Sequence, residues 1–283
     1  MAGRRGDIEK PDRVLLPMNF SQFSSQVLRH FPNKEVKELQ KDYLCCGGFP
    51  MRVELFINSL HDGKEFDPFT QLHVFDDVIF YEINRRRLDR NIALEILGRI
   101  GSIGVNASSY DGFAKPLTIT KDTARRYLNA FGDAFLLATI SSYDTARNRV
   151  APRKDRKFIW VDPCLAYIPN FLGQGAIIDE QARAESSIGI ELLRRYELRL
   201  WEGLSSPRNV FTWKSSNGKE VDFLVVNKAE DFKLPVEVKY QNTINDWDFQ
   251  VMERAFGKGI LITKDFIKKR EKSEALSFAK FFE

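Results

Sequence analysis

Three ionisable residues stand inside apolar runs of the carboxy-terminal half: Asp222 in Val221-Asp222-Phe223, and Glu237 with Lys239 in Val236-Glu237-Val238-Lys239. Read as strands, alternation places Glu237 and Lys239 on one face and turns Asp222 away from Val221 and Phe223. Charges on otherwise apolar strands are costly unless they are paired or hold a cation. Two carboxylates are suitable ligands for Mg²⁺, which keeps its remaining waters for a substrate phosphate. Lys239 would then orient or polarise the attacking water while the metal stabilises charge developing on phosphorus. Metal-dependent hydrolysis of a phosphodiester is the chemistry such a set supports, with Asp222 and Glu237 as metal ligands. A Glu237–Lys239 salt bridge on an edge strand, without catalytic meaning, is the competing reading.

The elements that must position these residues follow from the pattern around them. A long helical pattern covers 177–200 and carries Glu185 and Glu191, one of which must point at the strand ends to join the site. Strands are expected over 210–213, 221–226, 234–240 and 259–263, with a helix about 246–256. Asn217-Gly218 is a two-residue hairpin signal between the first two strands. The order αβββαβ combines a hairpin with a crossover, so the sheet must be mixed parallel and antiparallel.

Upstream, 1–77 reads as short helices and turns. Asn19 is a candidate N-cap, a helix about 34–45 stops at Gly47-Gly48-Phe49-Pro50, another covers about 51–60, and one opens at Phe66-Asp67-Pro68 and runs to about 86. The middle segment, 78–169, opens with an amphipathic helix over 88–100. A second helix starts after Thr120, with Ala124, Leu128 and Phe131 on one face and Lys121, Arg125 and Asn129 on another. Two strands, 135–140 and 157–161, follow as a hairpin, which makes helix, turn, helix and wing: a winged-helix plan. Between Phe80 and Trp160 there are fifteen Lys/Arg and eight Asp/Glu. A basic helix (Lys121, Arg125, Arg126, Asn129) beside a basic wing loop (Arg153, Lys154) is the footprint of a duplex-DNA binder. Winged helices also serve as protein–protein modules, and that reading stays open.

Composition removes several classes. The 283 residues carry a net charge of only +4, too little to name a partner by itself. No run of about 18 apolar residues is present, so no membrane span is expected, and the polar start gives no signal-peptide core; a cytoplasmic location is expected. Three cysteines and three histidines without zinc-ligand spacing point to free thiols rather than a metal framework. No phosphate loop, serine-nucleophile elbow or dinucleotide fingerprint occurs, so this chain is expected to bind no nucleotide.

Two groups of residues carry a family resemblance. Gly3-Arg4-Arg5, Leu16-Pro17-Met18-Asn19-Phe20-Ser21-Gln22-Phe23 and Tyr43-Leu44-Cys45-Cys46-Gly47-Gly48-Phe49-Pro50 resemble the stretch that closes the ATP-binding domain of prokaryotic, especially archaeal, AAA-type ATPases. Glu185-Ser-Ser-Ile-Gly-Ile-Glu191-Leu, Phe211-Thr-Trp, Lys219-Glu220-Val221-Asp222-Phe223 and Pro235-Val-Glu237-Val-Lys239-Tyr240 resemble the uncharacterised domain fused behind those ATPases, which is similar to the PD-(D/E)XK nuclease superfamily. The resemblance implies an α+β chain: a helical segment at 1–77, a winged-helix domain at 78–169 and a nuclease-like αβββαβ domain at 170–283. It also implies that Glu185 is the helical acid, Asp222 the central metal-binding acid, and Glu237 with Lys239 the acid-x-Lys pair. Ser186 stands where Asn is usual, and Gln22 where Glu is usual. The phosphate loop is missing, so the chain resembles only the part after the nucleotide-binding core, and an ATPase subunit carrying that loop is an implied partner. The functional expectation is a module that binds DNA and cuts it with Mg²⁺; the alternative is a non-catalytic module that binds DNA or a partner and regulates an ATPase.

Overall fold

The computed structural model describes residues 15–151, 154–176, 179–197 and 207–283. Gly3-Arg4-Arg5 and Arg153 lie outside them. Asn19 starts the first helix, α1 (Phe20–His30), through a capping box: its Oδ1 accepts from the Gln22 N–H while Gln22 Oε1 accepts from the Asn19 N–H. Next come α2 (Val36–Cys46) and α3 (Pro50–His61), the latter with Pro50 in its first turn, where a missing N–H costs nothing. The helix expected from Phe66 begins later, as α4 (His73–Arg85). Asp67 Oδ1 accepts from the Phe69 N–H, and Gln71 has φ +60°, so the intervening residues form turns.

Asp89 caps α5 (Arg90–Ile103), a short α6 (Tyr110–Ala114) follows, and Thr120 Oγ1 caps α7 (Lys121–Asp133) by accepting from the Thr123 N–H. A hairpin comes next. Strand β1 (Leu137–Ser141) pairs antiparallel with β4 (Arg156–Trp160), and β2 (Tyr143–Asp144) with β3 (Arg149–Val150). Beyond it lie α8 (Ile168–Phe171) and α9 (Glu180–Tyr196), whose bounds cover most of the helix expected over 177–200; 177–178 and 198–200 are outside the described residues.

The rest is one mixed sheet with two helices. Its elements are β5 (Val210–Lys214), β6 (Glu220–Asn227), β7 (Phe232–Lys239), α10 (Trp247–Phe256), β8 (Gly259–Thr263), β9 (Lys268–Lys269), β10 (Ser273–Ser277) and α11 (Phe278–Phe281). The strand order is β5-β6-β7-β8-β10-β9; β5, β6 and β7 run antiparallel, while β8 runs parallel to both β7 and β10. The Asn217-Gly218 turn joins β5 to β6 with Gly218 at φ +80°. Strands β9 and β10 and helix α11 have no counterpart among the sequence expectations, because short charged stretches carry little periodicity. No helix among the described residues is long and apolar enough to cross a membrane.

One apolar cluster runs from Leu16 to Phe282 and takes in the amino-terminal helices, the hairpin and the α9 side of the sheet. Phe20 meets Phe278 and Phe282 edge-on at 5.5 and 5.9 Å, so the two ends of the described chain share a core. A second cluster fills the other side of the sheet, where Phe249 and Met252 of α10 pack on Phe211, Leu224 and Val226. Tyr143 belongs to it, with its ring 4.9 Å from that of Phe211. Ser142 bridges Thr212, and Trp213 Nε1 donates to Thr145 Oγ1 at 3.2 Å. The outer part of the hairpin is therefore seated on edge strand β5, which also covers that edge.

The Gly47-Gly48 pair has a specific cause. The buried Asp162 carboxylate accepts from the Gly48 N–H at 2.7 Å and from the Cys164 N–H at 2.9 Å. Gly47 has φ +77°, and a Cβ there would meet Asp162 Oδ1 at 1.9 Å; a Cβ on Gly48 would meet the Met18 carbonyl oxygen at the same distance. Gly48→Ala is expected to cost about 1–3 kcal/mol, because a backbone rather than a flexible side chain must move. Urea unfolding checks this, and a loss below about 0.5 kcal/mol, the range of an ordinary surface change, would contradict the close approach. All three cysteines are free, with Cys46 and Cys164 buried; burial pushes their thiols up and keeps them inert.

Candidate functional site

Glu185 stands on the sheet-facing side of α9, flanked by the buried Ala184 and Ile188. It is the helical acid that reaches the strands. Glu191 goes elsewhere: it accepts from Arg194 and Arg195, one turn on, and from Asn19 Nδ2 at 3.0 Å. Glu191 thus ties the amino-terminal segment to α9, joined by Arg194, which donates to the Pro17 carbonyl at 2.7 Å.

On β6 the strand alternation breaks at Asp222. The register against β5 pairs Val221 with Trp213 but Leu224 with Phe211, which leaves two β6 residues opposite Thr212. This bulge re-aims the chain. Val221 packs in the α10-side cluster and Phe223 in the α9-side cluster, so they do not share a face as simple alternation predicts. Asp222 is thereby delivered to the α9 side.

The group it meets there is Lys157 of β4, the first residue of the second strand expected in the hairpin. Lys157 Nζ donates to Glu185 Oε1 and to Asp222 Oδ1, both at 2.5 Å. Its side chain is 4% exposed, against 6% for Glu185 and 16% for Asp222, so this is a buried charge cluster rather than a surface pair. The only sequence signal for it was a lysine leading the apolar run Lys157-Phe-Ile-Trp, a cation with no water to reach once the strand is buried.

Glu237 and Lys239 approach from the other direction. Val236 and Val238 of β7 point into the α9-side cluster, so Glu237 and Lys239 take the opposite face, as expected of residues two apart. Lys239 Nζ lies 3.9 Å from Asp248 in the first turn of α10. Between β6 and β7 the two acids fill the gap where the strands part: Asp222 Oδ2 accepts from the Val238 N–H at 2.8 Å, and Glu237 Oε2 accepts from the Asp222 N–H at 3.3 Å.

The electrostatics follow from this crowding. Burial opposes the charge of Lys157, yet Asp222 and Glu185 outweigh it and hold the ammonium protonated well above its ordinary range. Burial, reinforced by the Asp222 charge, pushes Glu185 up to about 8 against the pull of Lys157. Burial and the same Asp222 charge raise Glu237 well above the usual carboxylate range, against the pull of Lys157 and Lys239. Glu185 and Glu237 are therefore the acids that take up protons near neutral pH, beside an ammonium that stays charged.

As placed, these residues do not fit Mg²⁺. Both oxygens of Asp222 are engaged, one by Lys157 and the other by the Val238 N–H. The point between Glu185 and Asp222 where a divalent ion would sit is filled by an ammonium. Among the described residues, no group of three or more His, Cys, Asp or Glu side chains is placed to hold a metal ion.

The residues expected to touch DNA fall in two places. Lys121, Arg125, Arg126 and Asn129 all lie on the solvent face of α7, opposite the buried Ala124, Tyr127, Leu128 and Phe131. Arg125 pairs with Asp122 at 3.2 Å on the surface, a contact of little energy that a phosphate can replace. Lys154 is exposed in the β3–β4 loop, where it lines a cleft of about 240 Å³ at the seam between the hairpin and the β5–β6 pair, with Asp155, Lys214 and Glu220. Arg153 lies outside the described residues.

The fold and this cluster define a mixed α+β chain in which helices precede a six-stranded sheet carrying a buried acid–lysine cluster. Residues 182–279 match the model of a domain of unknown function, DUF4143, a domain often found at the carboxy-terminus of AAA-type ATPases. The match begins just before Glu185 and takes in Asp222, Glu237 and Lys239. Comparison with the curated proteins and with the solved structures gave no match.

Proposed function

We propose that this chain is a non-catalytic DNA-binding module of an ATPase assembly, in which a nuclease-like sheet has become a scaffold. The observation that carries the reading is Lys157: its ammonium sits between Glu185 and Asp222, where a metal-dependent nuclease needs its ion. A covalently supplied cation neutralises the acids, and it fastens the hairpin to the sheet. The order of α9, β5, β6, β7, α10 and β8 supports likeness to the PD-(D/E)XK fold, and α5 to α7 followed by the β1–β4 hairpin supports a winged-helix reading of the middle segment. The solvent face of α7 supplies the DNA contacts through Lys121, Arg125, Arg126 and Asn129. An ATPase partner belongs to the same proposal, on the strength of the domain match.

Filter binding of duplex DNA over a range of salt tests the binding arm. Log affinity is expected to fall linearly with log salt, and Lys121→Ala/Arg125→Ala/Arg126→Ala should lower the slope by about one per lost phosphate contact. A plasmid-nicking assay with Mg²⁺ or Mn²⁺ tests the other arm, with no cutting expected by the wild type. Metal-dependent nicking that Asp222→Ala abolishes would restore the nuclease reading, and absent or salt-indifferent binding would favour a protein partner.

A further inference from the structure

Two of the three histidines, 31 residues apart in the sequence, meet in the fold. His30 is the last residue of α1 and His61 the last residue of α3. Their ring nitrogens face one another: His61 Nε2 stands 3.4 Å from His30 Nδ1, with the ring centroids 5.5 Å apart and the planes at 83°. Further back along the same two helices, the ring of Phe23 lies 5.6 Å from that of Phe56. Two contacts made in the same chain direction mean that α1 and α3 run side by side and bring their carboxy-terminal ends together. The ring of Phe31, 4.8 Å from that of His61, backs the second imidazole. Both histidines are exposed, and a cleft of about 410 Å³ opens beside His30 along Phe31, Lys34 and Leu60.

The arrangement suits a divalent transition-metal ion on three grounds. The first is spacing: 3.4 Å is long for a hydrogen bond from a ring N–H. It is about the separation of two nitrogens that each lie roughly 2.0–2.1 Å from one tetrahedral ion. The second is the local field. Two helices end here together, and the negative ends of their macrodipoles favour a cation. The third is the state of the basic side chains nearby in sequence. Lys34 and Lys64 are held by Asp42 at 2.8 Å and Asp62 at 2.9 Å, and Arg29 turns back to Gln26. Imidazole nitrogen is a ligand that zinc, copper and nickel accept, whereas magnesium prefers oxygen.

We propose that His30 and His61 form an open two-ligand site for a divalent transition-metal ion, with water in the remaining coordination positions. Each imidazole binds it in the neutral form through the nitrogen that faces its partner, Nδ1 of His30 and Nε2 of His61. The ion clips the end of α1 to the end of α3, and because the pair exists only in the folded chain, binding stabilises the fold. Spacing along the sequence does not announce the site, since its ligands come from separate helices. It goes beyond the DNA-binding reading and is independent of it, using neither the α7 face nor the acids around Lys157.

Calorimetric titration of the full chain, free of any affinity tag and stripped with a chelator, reads the site. ZnCl₂ and NiCl₂ are the probes and MgCl₂ the control. One ion per chain is expected, with no binding of Mg²⁺. His30→Gln and His61→Gln should each weaken binding by at least roughly tenfold, since even a group behind a metal ligand is worth about 10–100-fold. His73→Gln, which removes the third histidine, should leave it unchanged. The ion should also raise the melting temperature of the wild type but not of the two variants. Both effects should vanish at about pH 5, where imidazoles carry a second proton. Because both histidines are exposed, the metal-free variants should melt with the wild type; His30→Gln carries the test if loss of the His61 ring unsettles Phe31. Absence of binding, or binding that survives both variants, would overturn the site and leave the two rings as a hydrogen-bonded pair. A dissociation constant of about 1 mM or weaker, an adventitious ion only, would overturn it equally.

Discussion

Lys157→Met is expected to destabilise the protein by about 3–5 kcal/mol, the cost of leaving a buried acid cluster without its counter-ion. The substitution keeps most of the stem's volume, so loss of charge rather than a cavity drives the effect. Lys157 Nζ is the shared partner of Glu185 Oε1 and Asp222 Oδ1, and its removal leaves two acids facing each other behind the hairpin. Thermal melting should show a drop on the order of 10 °C for a chain of this size. The variant Lys157→Met/Glu185→Gln/Asp222→Asn should recover much of the loss, because removing every charge of such a cluster removes the desolvation cost along with the attraction. A single variant within about 1 kcal/mol of wild type would mean that water or another cation reaches the acids, and the scaffold reading would fail with it.

Stability is also expected to fall as pH rises from about 5 to 9. Glu185 is pushed up from 4.5 to about 8 in the folded protein, by burial first and the Asp222 charge second. Between those two values the folded state holds a proton that the unfolded chain has released, so the slope of unfolding free energy with pH is negative. The stabilisation is fully present below the unfolded value and is lost as pH climbs through the folded one. Glu237, raised for similar reasons, adds to the same slope. Glu185→Gln cannot titrate, and its urea midpoint should decline less over this window by an amount worth a few kcal/mol. Parallel wild-type and variant profiles would show that Glu185 is ionised throughout, with Lys157 alone balancing it.

These expectations rest on features of unequal legibility. The long helix over most of 180–196, the hairpin at Asn217-Gly218 and the strands around Asp222 and Glu237 were readable because periodicity and turn chemistry are local. So were the Asn19 and Thr120 caps, each a side-chain oxygen meeting an N–H three residues on. Glu237 and Lys239 share a face as their spacing requires. The late start of α4 was not readable, since it depends on a left-handed Gln71 that composition does not announce.

What the amino-acid order determined alone is the helix and strands that carry the acids, the mixed character of the sheet and the identity of the acids set within its apolar strands. Two facts came only from the folded chain. A bulge opposite Thr212 turned Asp222 toward α9, and a lysine from a hairpin more than sixty residues upstream arrived to meet it. Periodicity reports on neighbours along the chain; a register shift and a long-range ion pair depend on how separate segments close on one another, and no window of sequence contains both partners.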